Sequence, residues 1–245
     1  MKIIIPMAGL GSRFKKIGLK TPKYALKIKG QTLFALSMLS LSDFFDQEFI
    51  FIYNTQNCNP DFIRTECKTL GINKYQTVSI NATTEGQAST VMMAENFIQS
   101  NDEVVIYNID TYVEEGNILK SDLIDQPDGF LHSFICEGDK WSFVKTESDT
   151  SLKVIEVSEK IRISNLGTIG LYYFKSWNDF SNIYKSHKQE IMGAYNETYI
   201  APMYKFLIQD DKKVYTKLID QSNIHVLGTP DDIHSFYPLY LEENL

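Results

Sequence analysis

The sequence predicts an α/β fold: a mostly parallel mixed sheet flanked by helices, with an antiparallel portion in the second half of the chain. Three observations predict it. Ile3-Ile4-Ile5, Phe49-Ile50-Phe51-Ile52-Tyr53 and Val104-Val105-Ile106-Tyr107 are apolar without alternation, the pattern of strands buried on both faces. Helix-periodic segments separate them, which implies right-handed crossovers between parallel strands. With 245 residues, 43% of them hydrophobic, the chain can bury roughly 70% of its unfolded surface around one core.

The first strand covers residues 3–7 and enters a glycine-containing loop. A helix is predicted over 32–41, with Thr32 as its N-cap and Leu33, Phe34, Leu36, Met38 and Leu39 as its apolar stripe. Then come a strand over 49–53, a helix over 61–70, a short strand over 77–80, a helix over 87–99 and a strand over 104–107. Beyond about residue 125 the strand-like runs 130–136, 141–146, 152–157 and 168–174 follow one another without long helices, which predicts antiparallel pairing. Helices over 177–187 and 199–209, a strand over 214–218 and a short helix after Pro230 complete the chain. No Gly-, Pro- or Ser-rich linker and no internal repeat divides it, so a single domain with halves 1–125 and 126–245 is expected.

Charge is unevenly placed. Lys2, Arg13, Lys15, Lys16, Lys20, Lys23, Lys27 and Lys29 all precede the first acidic residue, Asp43, yet the formal net charge is -7. A small positive region on an acidic body suits a compact anion such as phosphate better than a nucleic-acid duplex, which needs a broad basic face. No apolar run approaches the ~20 residues of a bilayer span, and the amino terminus has no basic flank or cleavage site. A cytoplasmic location with neither membrane nor nucleic acid as partner is expected. Cys58, Cys67 and Cys136 show no C-x-x-C pair and no zinc-type spacing, so they read as small buried thiols. The 13% aromatic content is compatible with a buried core, or with the face of a homodimer.

Gly9-Leu10-Gly11-Ser12-Arg13-Phe14 follows the first strand directly, so its backbone N–H groups can form an anion-binding concavity, to which Arg13 adds a planar guanidinium fork. A Walker A loop requires Gly-Lys-Ser/Thr after four intervening residues, which is missing, and a dinucleotide fingerprint requires Gly or Ala where Phe14 stands. Thr21-Pro22-Lys23 then offers a stiffened backbone and a compact ammonium. Pro6-Met7-Ala8-Gly9-x-Gly11-Ser12-Arg13-Phe14 followed by Pro22-Lys23 resembles the signature of the nucleotide-sugar pyrophosphorylases, or nucleotidyltransferases. The resemblance implies a Rossmann-like sheet of the nucleotide-diphospho-sugar transferase type, with 1–125 as nucleotide-binding half and 126–245 as acceptor-binding half.

Further segments carry the same likeness. Thr84-Glu85-Gly86-Gln87-Ala88 is similar to the stretch that holds the nucleotide base, where Gly86 would let a planar ring approach the backbone and Gln87 would hydrogen-bond to it. Asp110 ends Tyr107-Asn108-Ile109-Asp110, at the carboxyl end of a parallel strand, where ligand sites in such sheets lie. It resembles the family's first magnesium ligand. Ser158-Glu159-Lys160 and Asn165-Leu166-Gly167 resemble the acceptor-binding segments, which implies acceptor roles for Glu159, Lys160, Asn165 and Gly167. The terminal Leu227-Gly228-Thr229-Pro230 also matches, but Val226 stands where many members place a second metal-ligating Asp. Glu197 or His225 would have to replace it.

The resemblance thus implies catalytic roles for Arg13, Lys23 and Asp110, with Met7, Ala8, Gly9, Gly11, Ser12, Glu85, Gly86, Gln87, Ala88 and Asn108 around the nucleotide. Glu159, Lys160, Asn165, Gly167 and Glu197 would surround the acceptor. The cofactor would be Mg²⁺, with Mn²⁺ as substitute, held by Asp110. The implied reaction is attack by an acceptor phosphate on the α-phosphorus of a nucleoside triphosphate, with release of pyrophosphate. Among compact members the chain is most similar to capsule-locus enzymes that join CTP to phosphoglutamine. A sugar 1-phosphate with dTTP, UTP, CTP or GTP is the alternative. A metal-dependent glycosyltransferase would share the sheet but carries Asp-x-Asp, and Asp110-Thr111-Tyr112 lacks the second acid. A non-catalytic nucleotide-binding regulator would account for Val226.

Overall fold

The computed structural model describes residues 1–123 and 127–244. In chain order the elements are β1 (Lys2–Met7), α1 (Ser12–Lys16), β2 (Lys27–Ile28), β3 (Gln31–Thr32), α2 (Leu33–Leu39), β4 (Glu48–Asn54), α3 (Pro60–Leu70), β5 (Tyr75–Ile80), α4 (Gln87–Met92), β6 (Val104–Tyr107) and β7 (Thr111–Val113). They continue with β8 (Gly129–Ile135), β9 (Ser142–Thr146), β10 (Val154–Glu159), β11 (Leu166–Phe174), α5 (Trp177–Tyr195), α6 (Met203–Gln209), β12 (Val214–Leu218), β13 (Ile224–Val226), α7 (Pro230–Phe236) and α8 (Tyr240–Asn244).

The apolar runs become the centre of the main sheet, in the order β10-β9-β11-β6-β1-β4-β5, with β8 on the other edge of β11 and β12 beyond it. β6, β1, β4 and β5 are parallel, whereas β11 runs antiparallel to β6, β8 and β9. Side chains of successive strand residues point to opposite faces, and both faces are covered. Ile3, Ile5, Phe49, Phe51, Val105 and Tyr107 enter one core. Ile4, Ile50, Ile52, Val104 and Ile106 enter the other, packed against α4, α5 and α6. A third core joins Phe14, Leu26 and Leu33 to Leu227, Ile233 and Tyr240, tying the first loop to the C-terminal helices. All three cysteines are free and buried, as expected.

The chain passes from β1 outward to β4 and β5, then returns to β6 on the opposite side of β1. The order therefore reverses between β1 and β6, where a crevice opens outside the carboxyl ends of the strands. The β1–β6 register ends at Ile4–Ile106, while β1 stays paired with β4 as far as Met7–Tyr53. Pro6, which has no N–H to donate, lies beyond that last β6 partner.

Several boundaries differ from expectation. α4 stops at Met92, short of residue 99, because its last turn tightens: the N–H groups of Met93 and Ala94 bond three residues back, to Thr90 O and Val91 O. α5 runs past residue 187 to Tyr195, anchored by buried Ile191 and ended by Asn196 at φ 60°. α6 begins at Met203 because Pro202 precedes it, leaving 199–201 outside the helix. β10 lies two residues later than read, which carries Glu159 onto its end. The division expected between 125 and 126 lies outside the described residues.

Candidate active site

The loop after β1 turns at Gly11, whose φ of 61° favours glycine and whose Cβ, if present, would lie 3.3 Å from Lys23 Cβ. This close approach brings Lys23 beside the loop. Lys23 Nζ donates to Asp110 Oδ2 at 2.9 Å and to the Gly228 carbonyl at 3.2 Å. Asp110 is fixed in turn by its backbone: Leu227 N–H donates to Asp110 O at 2.8 Å, and Ser37 Oγ donates to Ile109 O at 2.6 Å. Burial works to raise the Asp110 carboxyl, but the charge and hydrogen bond of Lys23, the local backbone and the charge of Arg13 outweigh it and hold the group below the usual carboxylate range. An ionised oxygen donor thus stands at the carboxyl end of β6.

A cavity of about 770 Å³ opens over this pair, walled by Gly9, Gly11, Ser12 and Arg13 on one side and by Asn108 and Gly170 on the floor. Met7 lines it as well. Asn108 is held tightly: its N–H donates to Gly170 O at 3.0 Å, and its Oδ1 accepts from Gln87 Nε2. Gly170 lies where the β11–β8 register shifts, at φ 80°, and a Cβ there would stand 2.4 Å from Asn108 Nδ2. A smaller recess of about 240 Å³ adjoins, lined by Pro6, Ala8, Gly9, Thr84, Gly86 and Gln87.

The far wall of the large cavity comes from the antiparallel strands and the turn before α6. Glu159, 5% exposed, accepts from Ser142 Oγ, and Lys160 Nζ donates to Tyr199 OH. Burial pushes the Glu159 carboxyl up, against the Ser142 hydrogen bond and the charge of Lys160, and the charge of Glu197 adds to the rise. Lys160 is raised chiefly by its bond to Tyr199. Glu197, Trp141 and Tyr172 complete this wall.

Arg13, Lys23, Asp110, Met7, Gly9, Gly11, Ser12, Gln87, Asn108, Glu159, Lys160 and Glu197 therefore meet at one cavity, while Ala8 and Gly86 line its annex. Four expected residues are not brought to these walls. Asn165 is turned away, its carbonyl accepting from Cys136 N–H and its Oδ1 from Arg162. Gly167 packs under the wall, where a Cβ would meet Cys136 Sγ at 2.7 Å and Trp141 Cβ at 3.3 Å. Glu85 points to solvent and pairs with Lys188 on α5. Ala88 faces the core.

His225 does not replace the missing carboxylate. Strand alternation along β13 puts Val226 on the cavity and sends His225 to the other side, between Tyr112 and Phe236 with its Nε2 3.2 Å from Glu114 Oε1. No cluster of three or more His, Cys, Asp or Glu able to hold a metal occurs among the described residues. The donor set nevertheless fits Mg²⁺, which is commonly held by one or two carboxylates together with substrate phosphates and water. Asp110 would supply the carboxylate.

Sequence reasoning gave no individual site role to Tyr24, Trp141, Ser142, Tyr172, Tyr199 or the Gly228 carbonyl, although Tyr172, Tyr199 and Gly228 lie in segments that carry the resemblance; all six residues line the cavity. Trp141, one of only two tryptophans, was the readable signal. The others owe their place to pairings between distant segments.

No protein-family model matches the chain, and a search of curated proteins finds no match. Solved structures do match. A nucleoside-diphosphate-sugar pyrophosphorylase from Vibrio cholerae RC9 is 35% identical, with a TM-score of 0.88 over 96% of this chain and 98% of that one. A UDP-glucose pyrophosphorylase complexed with UDP-glucose (17% identity, TM-score 0.76, 98% of both chains) and the inositol-1-phosphate CTP transferase of T. maritima (15%, 0.72, 98% of this chain and 94% of that one) share the fold. The protein is a nucleotidyltransferase by fold and by this relationship. It belongs to the nucleoside-diphosphate-sugar pyrophosphorylase family. Among the described residues no helix is long and apolar enough to cross a membrane.

Proposed function

We propose that the protein joins a nucleoside triphosphate, best matched by CTP, to the phosphate of a small acceptor, best matched by phosphoglutamine, and releases pyrophosphate. The product would serve capsule or surface polysaccharide synthesis in the cytoplasm. The observation that carries the reaction class is the Lys23–Asp110 pair, set between a loop that suits polyphosphate, a recess of about 240 Å³ that suits a base, and a separate wall that suits an acceptor. Residues 1–125 would then serve the nucleotide and 126–245 the acceptor.

The phosphoryl group of the acceptor is already largely ionised at pH 7, so no general base is required. One of its oxygens forms a bond to the α-phosphorus, and the bond from that phosphorus to the bridging oxygen breaks, releasing pyrophosphate. Catalysis then lies in positioning and charge neutralisation. Arg13 and the loop N–H groups hold the β- and γ-phosphates and steady the leaving pyrophosphate. Lys23, already beside Asp110, neutralises the α-phosphate as the incoming oxygen approaches. Asp110 would hold Mg²⁺, or Mn²⁺ in its place, and the ion would supply Lewis-acid stabilisation of α-phosphate charge. Gln87 and the Gly86 backbone would hold the base, while Glu159, Lys160, Tyr199 and Glu197 would bind the acceptor.

CTP and phosphoglutamine are supported by the likeness of Met1–Lys29, Thr198–Pro202 and Leu227–Pro230 to compact capsule-locus enzymes. A sugar 1-phosphate with dTTP, UTP, CTP or GTP is the second reading, favoured by the family of the Vibrio protein. Pyrophosphate release with Mg²⁺, crossing CTP, UTP, dTTP, GTP and ATP against sugar 1-phosphates, phosphoglutamine and phosphocholine, tests both. Rapid release with CTP and phosphoglutamine is expected; rapid release only with a sugar 1-phosphate selects the second reading, and silence across the panel contradicts both.

A further inference from the structure

Glu197, Thr198 and Tyr199 serve two places at once. Glu197 and Tyr199 line the large cavity, and Tyr199 OH accepts from Lys160. Thr198, between them, is 1% exposed and is bonded to the segment 85–89. Its N–H donates to Glu85 O at 2.9 Å, and its carbonyl accepts from Ala88 N–H at 2.8 Å. Its Oγ1 accepts from Ser89 N–H at 3.2 Å and pairs with Ser89 Oγ at 2.8 Å. Ser89 Oγ is in turn paired with Tyr184 OH of α5 at 2.8 Å.

Gly86 sits inside this clasp. A Cβ there would lie 2.4 Å from Thr198 N and 2.7 Å from Thr198 Oγ1, and Gly86 and Gln87 line the recess that adjoins the cavity. In a close-packed interior a displacement of one such partner is not absorbed by empty space. These bonds and this contact are a route by which order imposed on 197–199 from the cavity side would reach the backbone at 86–89.

We propose that Thr198 is a positioning residue that couples the two substrates: an acceptor seated against Glu197, Tyr199 and Lys160 orders the tripeptide, and Thr198 thereby orders the segment that holds the nucleotide base. The inference rests on the nucleotidyl-transfer reading above. Thermodynamic linkage makes the coupling reciprocal, so each substrate raises the affinity of the other by the same factor, on the order of 5- to 20-fold within the usual range for coupled sites.

Titration calorimetry tests this in Mg²⁺ with the non-reacting α,β-methylene analogue of the nucleotide that the pyrophosphate panel selects, CTP being expected, alone and with phosphoglutamine, or with glucose 1-phosphate where the panel selects it. Wild type should bind the analogue roughly 5- to 20-fold more tightly with the acceptor present. Thr198→Val, which keeps shape and backbone bonds but loses the hydroxyl, should reduce the factor to below about 2-fold, since one or two hydrogen bonds carry it. Thr198→Ser should restore it. Ser89→Ala removes the Oγ–Oγ1 bond from its other end but keeps the Ser89 N–H bond to Thr198 Oγ1, so it should lower the factor in the same direction by a smaller amount, and misfolding of one variant does not shield the proposal. A purely structural role would lower melting temperature in both variants and leave the factor intact. That result, or a factor of one in wild type, overturns the inference; failure of the analogue to bind wild type at all overturns the nucleotidyl-transfer reading itself.

Discussion

Replacement of Lys23 by Met keeps the aliphatic stem and removes only the ammonium that links Asp110 Oδ2 at 2.9 Å to Gly228 O at 3.2 Å. Two effects of different size should follow. In the unliganded protein the Asp110 side chain is 36% exposed and Lys23 16%, so water rehydrates part of what is lost. The stability loss should be about 1–2 kcal/mol, a fall of roughly 2–8 °C in melting temperature for a chain of this size. On the proposed mechanism the same ammonium would face charge developing on the α-phosphate in the transition state. Deleting one preorganised stabiliser of this kind lowers turnover by about 10²- to 10³-fold, or roughly 3–4 kcal/mol. Nucleotide affinity should weaken far less, because on the same reading Arg13 and the loop would still hold the distal phosphates. Single-turnover pyrophosphate release, nucleotide titration and a thermal melt on Lys23→Met separate the three quantities. Turnover within fivefold of wild type, with the melt lowered as expected, would refute the catalytic assignment and leave Lys23 as an ion-pair partner only.

Three other perturbations probe different parts of the account. Gly86→Ala introduces a Cβ 2.4 Å from Thr198 N at a φ of 143°, so backbone strain and overpacking of about 2–5 kcal/mol should lower the melting temperature measured by calorimetry and weaken nucleotide binding. Glu159→Gln keeps the shape of a residue buried against Ser142. Steady-state kinetics should show the acceptor KM raised by roughly 10-fold, with kcat/KM for the nucleotide little changed, the signature of a lost charge-assisted bond on one substrate. Acid stability should reflect the buried Asp122–His132 pair, 2.9 Å apart. Burial alone would raise the Asp122 carboxyl, but bonds from His132, Lys217 and the Leu119 N–H bring it down to about 2 from 3.8. Its stabilisation is therefore present above pH 4 and lost as pH falls towards 2, an effect of about 2 kcal/mol. Burial lowers His132 below 6.5, so the unfolded chain takes up a proton that the folded one refuses, and stability declines further from pH 6.5 downward. Denaturant unfolding of Asp122→Asn should be flatter than wild type between pH 4 and 2.

Much of the scaffold is visible along the chain because its signals are local. The strands at 3–5, 49–53 and 104–107 are apolar on both faces, and the structure places those faces in separate cores. Thr32, read as a helix cap, accepts from Ala35 N–H at 3.0 Å. Lys23 and Asp110 were singled out by the resemblance of their segments to the nucleotidyltransferase signature, although the bond between them joins residues 87 positions apart. What escaped is set by facing and by distant pairing. Asn165 precedes and Gly167 lies near the start of a strand that reaches the site, but one is bonded to Arg162 and the other packs beneath Trp141. His225 and Val226 are adjacent in sequence and opposite in direction. The three-residue strands β7 and β13, which pair Thr111 with Val226, carry no periodic signal at that length. Thr198 owes its role to Ser89, 109 positions away.

The central claim is that the bond broken joins the α- and β-phosphates. Triphosphate labelled with ³²P at the α- or γ-position, incubated with Mg²⁺ and the acceptor selected by the pyrophosphate panel, tests it most directly. The account predicts α-label in the acceptor-linked diphosphate product and γ-label in free pyrophosphate, both abolished in Asp110→Asn. Transfer of γ-label to the acceptor, or no transfer of α-label with any acceptor, would contradict it.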